Sequence, residues 1–481
     1  MDDMPAAPLP LPLPLRAALE AVRRAGGRPH IVGGGVRDWL LGRAPKDFDV
    51  EVFGLEFDAL GRALAPFGAT DLVGRSFGVI KLRSEGVEYD FSLPRRESKT
   101  GAGHRGFAVA TDPAISEGEA AARRDFTINA IAYDPFAERL IDPLNGQRDL
   151  QARLLRHAGP AFRDDPLRVL RAFQLAARFE LTLAPETARE CNAIADTFTE
   201  LPVERVWGEW DKWAVKSAKP SLGLRALKES GWLRHFPELA AIDGVPQEPE
   251  WHPEGDVFTH TAHCVDALTG FAIWNDGAPE IRRVLMLAVL AHDFGKATTT
   301  SREERRGKLR WVSPGHEAAG GPIAEAFLRR IGAPLGVVEH VPPLVVHHLA
   351  HHHGQTEFRD TTVRRLARKL APANIEELIA VMMADHLGRP PLIAHDTMRR
   401  IEQLRAVATR LEIEDRAPRP ILQGRHLVAK GFAPGPAFKV ALDAAFESQL
   451  DGAFNDEAGA VSWLENYLRT QPPGLTLAKR T

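Results

Sequence analysis

The chain has 481 residues, 44% hydrophobic and 26% charged, and no run approaches the roughly 18 apolar residues of a spanning helix, which excludes fibrous, disordered and membrane-spanning classes. At roughly 100–200 residues per domain, this length predicts about three domains. A formal net charge of −3 excludes nucleic-acid binding through overall charge and leaves it to local basic faces.

Met1 to Leu15, with its Pro/Leu alternation, lacks the basic start and continuous apolar stretch of a secretory signal and reads as an ordered-late or frayed tail. Up to about residue 150, short β-branched runs predict strands at Ile31-Val32, Asp49 to Phe53, Val79 to Leu82, Val87 to Phe91 and Ile128 to Tyr133. From Leu154 onward, apolar residues recur at three- and four-residue spacing, as in Leu167, Leu170, Phe173, Leu175 and Phe179, and predict helices alone. Pro, Gly and Asp residues break the helical part at Asp243 to Asp256 and again around Arg389-Pro390-Pro391. The fold class is therefore an α+β head, with a mixed or antiparallel sheet and helices, followed by all-α regions. The divisions expected are an N-terminal extension (1–27), a head (28–155), a helical neck (156–245), a second helical region (246–400) and a helical tail (401–481). Cys191 and Cys264 form neither a disulfide framework nor a metal-ligand spacing; they read as small core hydrophobes of a protein in a reducing cytoplasm.

Chemistry-bearing residues begin at Ile31-Val32-Gly33-Gly34-Gly35-Val36-Arg37-Asp38, a strand running through glycines into a helix that Gly42 ends. Backbone N–H groups at such a turn approach a polyphosphate closely, and Arg37 can add a charge-assisted contact. Asp47 and Asp49 follow, two apart on a strand, so their carboxylates share one face. Such a pair suits Mg²⁺, which keeps several waters and takes further ligands from substrate phosphates. A second ion about 3.5–4 Å away would complete a site for phosphoryl transfer. The candidate for a third, catalytic acid on a neighbouring strand is Asp90, with Glu88 on the same strand face as the open alternative. Beyond Arg123-Arg124-Asp125-Phe126-Thr127-Ile128-Asn129-Ala130 comes Asp164-Asp165-Pro166-Leu167-Arg168-Val169-Leu170-Arg171. Arg168 and Arg171 project from one helix face, with Asp165 beside the N-cap and within reach of Arg168.

These motifs, in this order and with Ile141-Asp142-Pro143-x-x-Gly146, resemble the class II tRNA nucleotidyltransferases, the CCA-adding enzymes and their bacterial poly(A) polymerase relatives. The resemblance covers about residues 28–240. It implies a nucleotidyltransferase head and helical neck, with Asp47 and Asp49 as Mg²⁺ ligands. It places Gly33, Gly34, Arg37, Arg124, Asp165, Arg168 and Arg171 at the incoming nucleotide, Asp165 and Arg168 reading the base edges of CTP and ATP. Arg95 to Phe107 resembles the loop that helps such enzymes switch from C to A, and its glycines and charges suggest a flexible basic loop. Two positions depart from the family pattern: Asp164 stands where Glu is usual, and Gln174 where an arginine ladder often continues.

Between residues 251 and 390 histidines gather with acids: His260, His292-Asp293, His316, His347-His348 and Asp385. Imidazole and carboxylate together suit Zn²⁺, Mn²⁺, Ni²⁺, Fe²⁺ or Mg²⁺, which polarise a phosphoryl oxygen and activate water. A helical His, then His-Asp, then a distant Asp resembles the HD-domain phosphohydrolases, and Ala291-His292-Asp293-Phe294-Gly295-Lys296 carries the likeness. The resemblance implies a first metal site of His260, His292, Asp293 and Asp385, with His292 and Asp293 catalytic. His316, with His347 or His348, holds a second ion or binds phosphate. Lys296 contacts a phosphate or caps its helix, while His351, His352 and His353 read as a solvated loop.

Bacterial CCA-adding enzymes with an HD domain share this order. The implied function is addition of C and/or A from CTP and ATP to the tRNA 3′ end, with hydrolysis of 2′-nucleotides, cyclic phosphates or damaged RNA ends at the second site. The alternatives are a poly(A) polymerase of the same superfamily and an HD phosphohydrolase whose head only binds RNA. In the tail, Arg425 and Lys430 among glycines and prolines fit either RNA contact or a structural hairpin.

Overall fold

The computed structural model describes residues 8–71, 78–99, 107–352, 358–391 and 395–470. Two units divide the chain, the first ending at His235 and the second beginning at Phe236.

In the first unit, α1 (Leu13–Arg24) leads into β1 (Arg28–Val32), α2 (Gly34–Leu40), β2 (Asp49–Phe53) and α3 (Phe57–Leu64). β3 (Ala69–Asp71), β4 (Val79–Ser84) and β5 (Val87–Ser92) follow, then an antiparallel ribbon of β6 (Arg95–Lys99) and β7 (Phe107–Thr111). The expected flexible segment therefore enters and leaves as paired strands; its residues 100–106 lie outside the described residues, as does His353. After α4 (Glu117–Ala121) come β8 (Ala132–Asp134), β9 (Arg139–Ile141) and α5 (Gly146–Gln151). Seven strands form one sheet in the order β3-β4-β5-β2-β1-β8-β9, antiparallel except where β2 runs parallel to β5. Alternation sets its faces: Val50 and Val52 of β2 and Tyr89 and Phe91 of β5 enter the core, leaving Asp49, Glu51 and Asp90 on the other side. Four of the five expected strands form as read. The fifth forms only at its end, where Ala132 and Tyr133 lie in β8; its start falls in a 3₁₀ turn, Thr127–Asn129.

From Leu9 onward the N-terminal stretch corrects the tail reading, residues 1–7 lying outside the described residues. Leu15, Ala18, Leu19 and Val22 of α1 recur at helical spacing and join Leu9 in the same core as Ile31, Val50 and Phe91.

The helical half of this unit contains β10 (Leu154–Leu155), α6 (Leu167–Phe179), β11 (Thr182–Leu183), α7 (Pro185–Ala193), α8 (Val203–Lys216) and α9 (Pro220–Glu229). α6 packs on α8 and α9. At the α9 crossing, a Cβ on Gly223 would stand 2.7 Å from the Phe173 carbonyl oxygen, so the close approach requires glycine.

The second unit runs through α10 (Pro237–Ala240), α11 (Val257–Leu268), α12 (Ala272–Asn275), α13 (Pro279–Ala291) and α14 (Lys296–Thr299). A hairpin, β12 (Ser301–Arg305) with β13 (Lys308–Val312), interrupts the expected all-helical pattern, because Arg306-Gly307 supplies two positive-φ residues at its turn. Then come α15 (His316–Arg330), α16 (Leu335–His347), α17 (Asp360–Leu370), α18 (Ile375–Leu387) and α19 (His395–Arg410). The expected boundary at residue 400 falls inside α19, which packs on α17 and α18. α13 is buried on every side from Val284 to Ala291, with α11, α16 and α18 around it. Last, α20 (Gly424–Ala429), α21 (Pro436–Leu450) and α22 (Glu457–Arg469) share a small core of Leu427, Phe438, Phe454 and Leu464. No described helix is long and apolar enough to cross a membrane.

Candidate functional site

The glycine turn and the carboxylates meet at the C-terminal end of β1. Gly33 has φ +75°, and a Cβ there would lie 3.3 Å from Asp49 Oδ2 and 3.9 Å from Arg124 Nη1. Gly35 is required for another reason, since its Cβ would stand 2.7 Å from the Asp47 carbonyl oxygen. The turn therefore wraps the segment that carries both aspartates, whose side chains reach solvent. In the parallel register Asp49 faces Asp90. Although Asp49 reaches solvent, the protein around its carboxyl partly desolvates it and raises its pKa, against the pull of Arg124; Asp90 and Asp47 add to the rise. Excess negative charge at one edge is the condition a divalent cation relieves. Glu88, the other candidate third acid, is engaged by Lys81 at 2.5 Å and Arg83 at 3.3 Å, which hold its carboxyl below the usual range. Lys81 also reaches Asp90 at 3.3 Å.

The basic residues serve more than one end. Arg124 pairs with Glu51 at 3.2 Å, one position along the face from Asp49. Arg37 is buried beneath the turn, donating to Asp38 Oδ1 at 2.7 and 3.0 Å and to Asn129 Oδ1 at 2.6 Å, with its guanidinium 4.0 Å over the Phe179 ring. Asn129 Nδ2 donates to Asp125 at 3.0 Å, and Asp125 accepts from Arg171 at 2.6 and 2.8 Å. A chain of side chains thus runs Arg171–Asp125–Asn129–Arg37, from α6 to the glycine turn. Asp165 accepts from the Leu167 N–H at 3.1 Å and from both Nη atoms of Arg205 on α8 at 3.0 and 3.4 Å. Arg168 donates to the carbonyls of Ala161 at 2.6 Å and Arg123 at 2.8 Å. The guanidinium that holds Asp165 is therefore Arg205, which sequence reasoning missed because it lies 40 residues away on another helix. Gln174 is buried with Oε1 unpartnered, and the arginine face of α6 resumes at Arg178, 3.9 Å from Asp38. Asp142 accepts from the Gly146 and Gln147 N–H groups at 2.7 and 2.9 Å, so the Ile-Asp-Pro-x-x-Gly motif caps α5.

In the second unit five helices bring residues to one point. His292 and Asp293 leave the buried end of α13, His260 comes from α11, Asp385 from α18, His316 opens α15 and His348 follows α16. Nε2 of His260 lies 3.1 Å from Asp385 Oδ1 and 3.7 Å from Asp293 Oδ2. His292 Nε2 lies 3.3 Å from Asp293 Oδ2, while Asp293 Oδ1 faces His316 Nε2 at 3.2 Å and His348 Nε2 at 3.9 Å. One carboxylate thus spans two donor groups: His260, Cys264, His292 and Asp385 on one side, and His316 and His348 on the other.

Backbone carbonyls fix the ring orientations. Nδ1–H of His292 donates to Val289, that of His348 to Val345 and that of His316 to Ser313, at 2.7, 2.7 and 2.8 Å. His260 Nδ1 meets the fully buried Glu254 carboxylate at 2.8 Å. Each ring keeps its Nε2 lone pair for the centre, the arrangement of metal-binding imidazoles. Nε2 of His292, fully buried, has no hydrogen-bond partner. Burial opposes charge on His292, but Asp293 and Cys264 outweigh it and push its pKa up to about 10. The donor set fits a cation, which takes the place of that proton.

Several expectations are corrected here. His347 stays outside the donor group and His348 enters it, because α16 ends at His347 and only the next residue turns inward. Lys296 neither caps a helix end nor stands free for phosphate; its ammonium forms an ion pair with Asp293 Oδ2 at 2.7 Å and donates to Gln247 Oε1 at 2.9 Å. His351 is buried rather than solvated, and burial lowers its pKa to about 3. Cys264 is more than a core hydrophobe, its Sγ lying 3.3 Å from His260 Nε2. Sequence reasoning also missed His252 and Glu254, which support His260 from a loop before α11. In the tail, Lys430 pairs with Glu465 and Arg425 donates to His426, contacts that favour the structural hairpin.

A nucleotidyltransferase-type head and an HD-type cluster on one chain define a two-centre, RNA-processing class of enzyme. Family models agree: the poly A polymerase head domain matches residues 29–156, the probable RNA and SrmB-binding site of polymerase A matches 180–243, and the HD domain matches 258–389. The chain is 38% identical over 373 residues to the multifunctional CCA protein of Xanthomonas campestris pv. campestris (strain B100), covering 75% of this chain and 85% of that protein. With its counterpart from Xanthomonas oryzae pv. oryzae (strain MAFF 311018) it shares 37% over 406 residues, 81% and 92% of the two chains. Two solved structures share its fold: the Bacillus stearothermophilus CCA-adding enzyme in complex with CTP (TM-score 0.62, 21% identity, 96% of this chain and 99% of that one) and the Thermotoga maritima CCA-adding enzyme complexed with tRNA (TM-score 0.57, 18% identity, 94% of each). The chain belongs to the multifunctional CCA protein family.

Proposed function

We propose that the head adds C and A residues from CTP and ATP to the 3′ end of tRNA, and that the HD centre hydrolyses RNA 3′ or cyclic phosphates and 2′-nucleotides. The observation that carries this reading is the register that sets Asp49 against Asp90, with the glycine turn over Asp49. The names of the relatives and the CTP and tRNA in the solved complexes support it.

In the head, Asp47 and Asp49, with Asp90 beside them, would hold Mg²⁺, which would supply positive charge at the reacting phosphate and lower the pKa of the attacking hydroxyl. The backbone N–H groups at Gly33 and Gly34 face the triphosphate, and Arg37 braces their turn from below. Arg124 beside the carboxylates and Arg171 on α6 supply cationic charge to the nucleotide. Asp165 offers an acceptor and Arg168 donors to the base edge, each fixed in place by its protein contacts. In the HD centre, His260, His292, Asp293 and Asp385 would hold a first divalent ion and His316 with His348 a second, and Ni²⁺, Mn²⁺ and Zn²⁺ suit these donors better than Mg²⁺. Asp293 presents one oxygen to each donor group, and Lys296 pairs with Oδ2, the oxygen facing His260 and His292. A cytoplasmic location fits Cys191 and Cys264, both free thiols.

The test is incubation of the purified full chain and Mg²⁺ with tRNA ending before CCA, given CTP, ATP or both. Three additions requiring both nucleotides are expected. A long A-only product would identify a poly(A) polymerase, and no addition alongside phosphoester hydrolysis would leave only the HD activity.

A further inference from the structure

We propose that Cys264 is a thiolate ligand of the HD centre, and that it biases this centre toward thiophilic ions such as Zn²⁺, Co²⁺ and Cd²⁺ over Mg²⁺. The proposal rests on reading the second-unit cluster as a metal centre and adds a donor that the His-Asp pattern does not contain.

Cys264 follows His260 by four residues on α11, so both side chains leave the same helix face. Its Sγ lies 3.3 Å from His260 Nε2, which itself lies 3.1 Å from Asp385 Oδ1; His292 Nε2 stands 4.0 Å from that oxygen. The donor atoms of His260, Cys264, His292 and Asp385 all fall within 4.8 Å of one another. Ligands held at about 2.0–2.3 Å around a tetrahedral ion stand roughly 3.3–3.8 Å apart, close to the spacings here. Independently, the buried His292 Nε2 is unpartnered while its Nδ1–H is committed to the Val289 carbonyl. That lone pair faces the same space as the sulfur.

The fold reserves room for this sulfur. A Cβ on Gly388, three residues after the ligand Asp385, would stand 2.2 Å from Cys264 Sγ. Any other residue at 388 would displace the thiol or part α11 from α18. With Asp293, two imidazoles, two carboxylates and one thiolate make a softer set than imidazole and carboxylate alone, and soft donors select thiophilic ions. On binding, the thiol proton passes to solvent and a sulfur–metal bond forms with no change of oxidation state.

The test uses the full chain, stripped with chelator and titrated with Co²⁺, and reads the near-ultraviolet thiolate-to-cobalt charge-transfer band. Wild type should develop the band. Cys264→Ala and Cys264→Ser should still bind cobalt without it, and their preference for Cd²⁺ over Mg²⁺ in competition dialysis should fall at least about tenfold. Circular dichroism establishes that each variant is folded, and the serine variant carries the test if alanine does not fold. An unchanged band and preference in a folded variant overturn the proposal and leave the metal centre standing. Absence of any cobalt binding that His292→Ala removes overturns both.

Discussion

Asp90 and Glu88 stand on one face of β5, and only the register of β5 against β2 separates them: Asp90 lies opposite Asp49, while Glu88 is taken by Lys81 and Arg83. Asp90→Asn should therefore lower nucleotide addition by on the order of 10²-fold, as for loss of one charge-stabilising group, whereas Glu88→Gln should change it less than about threefold in the same extension assay. Glu254 gives a prediction in pH. Burial raises its pKa, but hydrogen bonds from His252 and His260 outweigh this and hold it at about 2, against an ordinary 4.5. A carboxyl depressed in the folded state contributes stability in full above the unfolded value, and that contribution is lost as pH falls from about 4.5 toward 2. In urea denaturation of metal-free protein, Glu254→Gln should be clearly less stable than wild type at pH 7, with the gap closing toward pH 3. These details were beyond sequence reasoning. The Asp-x-Asp pair and His292-Asp293 are contiguous and announce themselves, but the partners of His260 depend on where a loop and a second helix turn come to rest.

At the scale of single elements, glycines divide into those that fit a close approach and those that do not. Gly35→Ala drives a Cβ against the Asp47 carbonyl oxygen at 2.7 Å, and should cost about 1–3 kcal/mol of stability by chemical denaturation and at least tenfold in nucleotide addition. Gly208 sits inside α8 with open space where a Cβ would go, so Gly208→Ala should stabilise by about 0.5–1 kcal/mol and leave addition unchanged. Elements with a clear period were legible: β2, β4, β5 and α6 lie where alternation or three- and four-residue spacing put them. Composition misled elsewhere. The Pro/Leu alternation at the N-terminus hid α1, whose buried face becomes apolar only when its helical phase is known. The run of histidines after α16 reads as polar, yet His348 and His351 point inward while His347 does not join them in the donor group.

Across the whole chain, the two centres occupy separate units, each with its own core. Asp49→Ala should abolish nucleotide addition and leave phosphoester hydrolysis intact, and His292→Ala should do the reverse; activity assays on the same two preparations decide this. The break at Asp243 to Asp256 marked a real gap, which lies between α10 and α11, but the division between units falls earlier, after His235. A boundary between compact units depends on which helices share a core. That is a property of long-range packing, so a local shift in composition only brackets it.

The Arg171–Asp125–Asn129–Arg37 chain carries a last consequence. Its two middle members are buried and fully engaged, so neither arginine can move without the other responding. On the proposed function, the charge that Arg171 offers the nucleotide and the turn that Arg37 braces then form one cooperative unit. A nucleotide seated badly against α6 would loosen the phosphate loop, and it would be rejected as slow chemistry rather than as weak binding. Alanine at both Arg37 and Arg171 should accordingly give losses in kcat that are non-additive by about 0.5–3 kcal/mol in a double-mutant cycle.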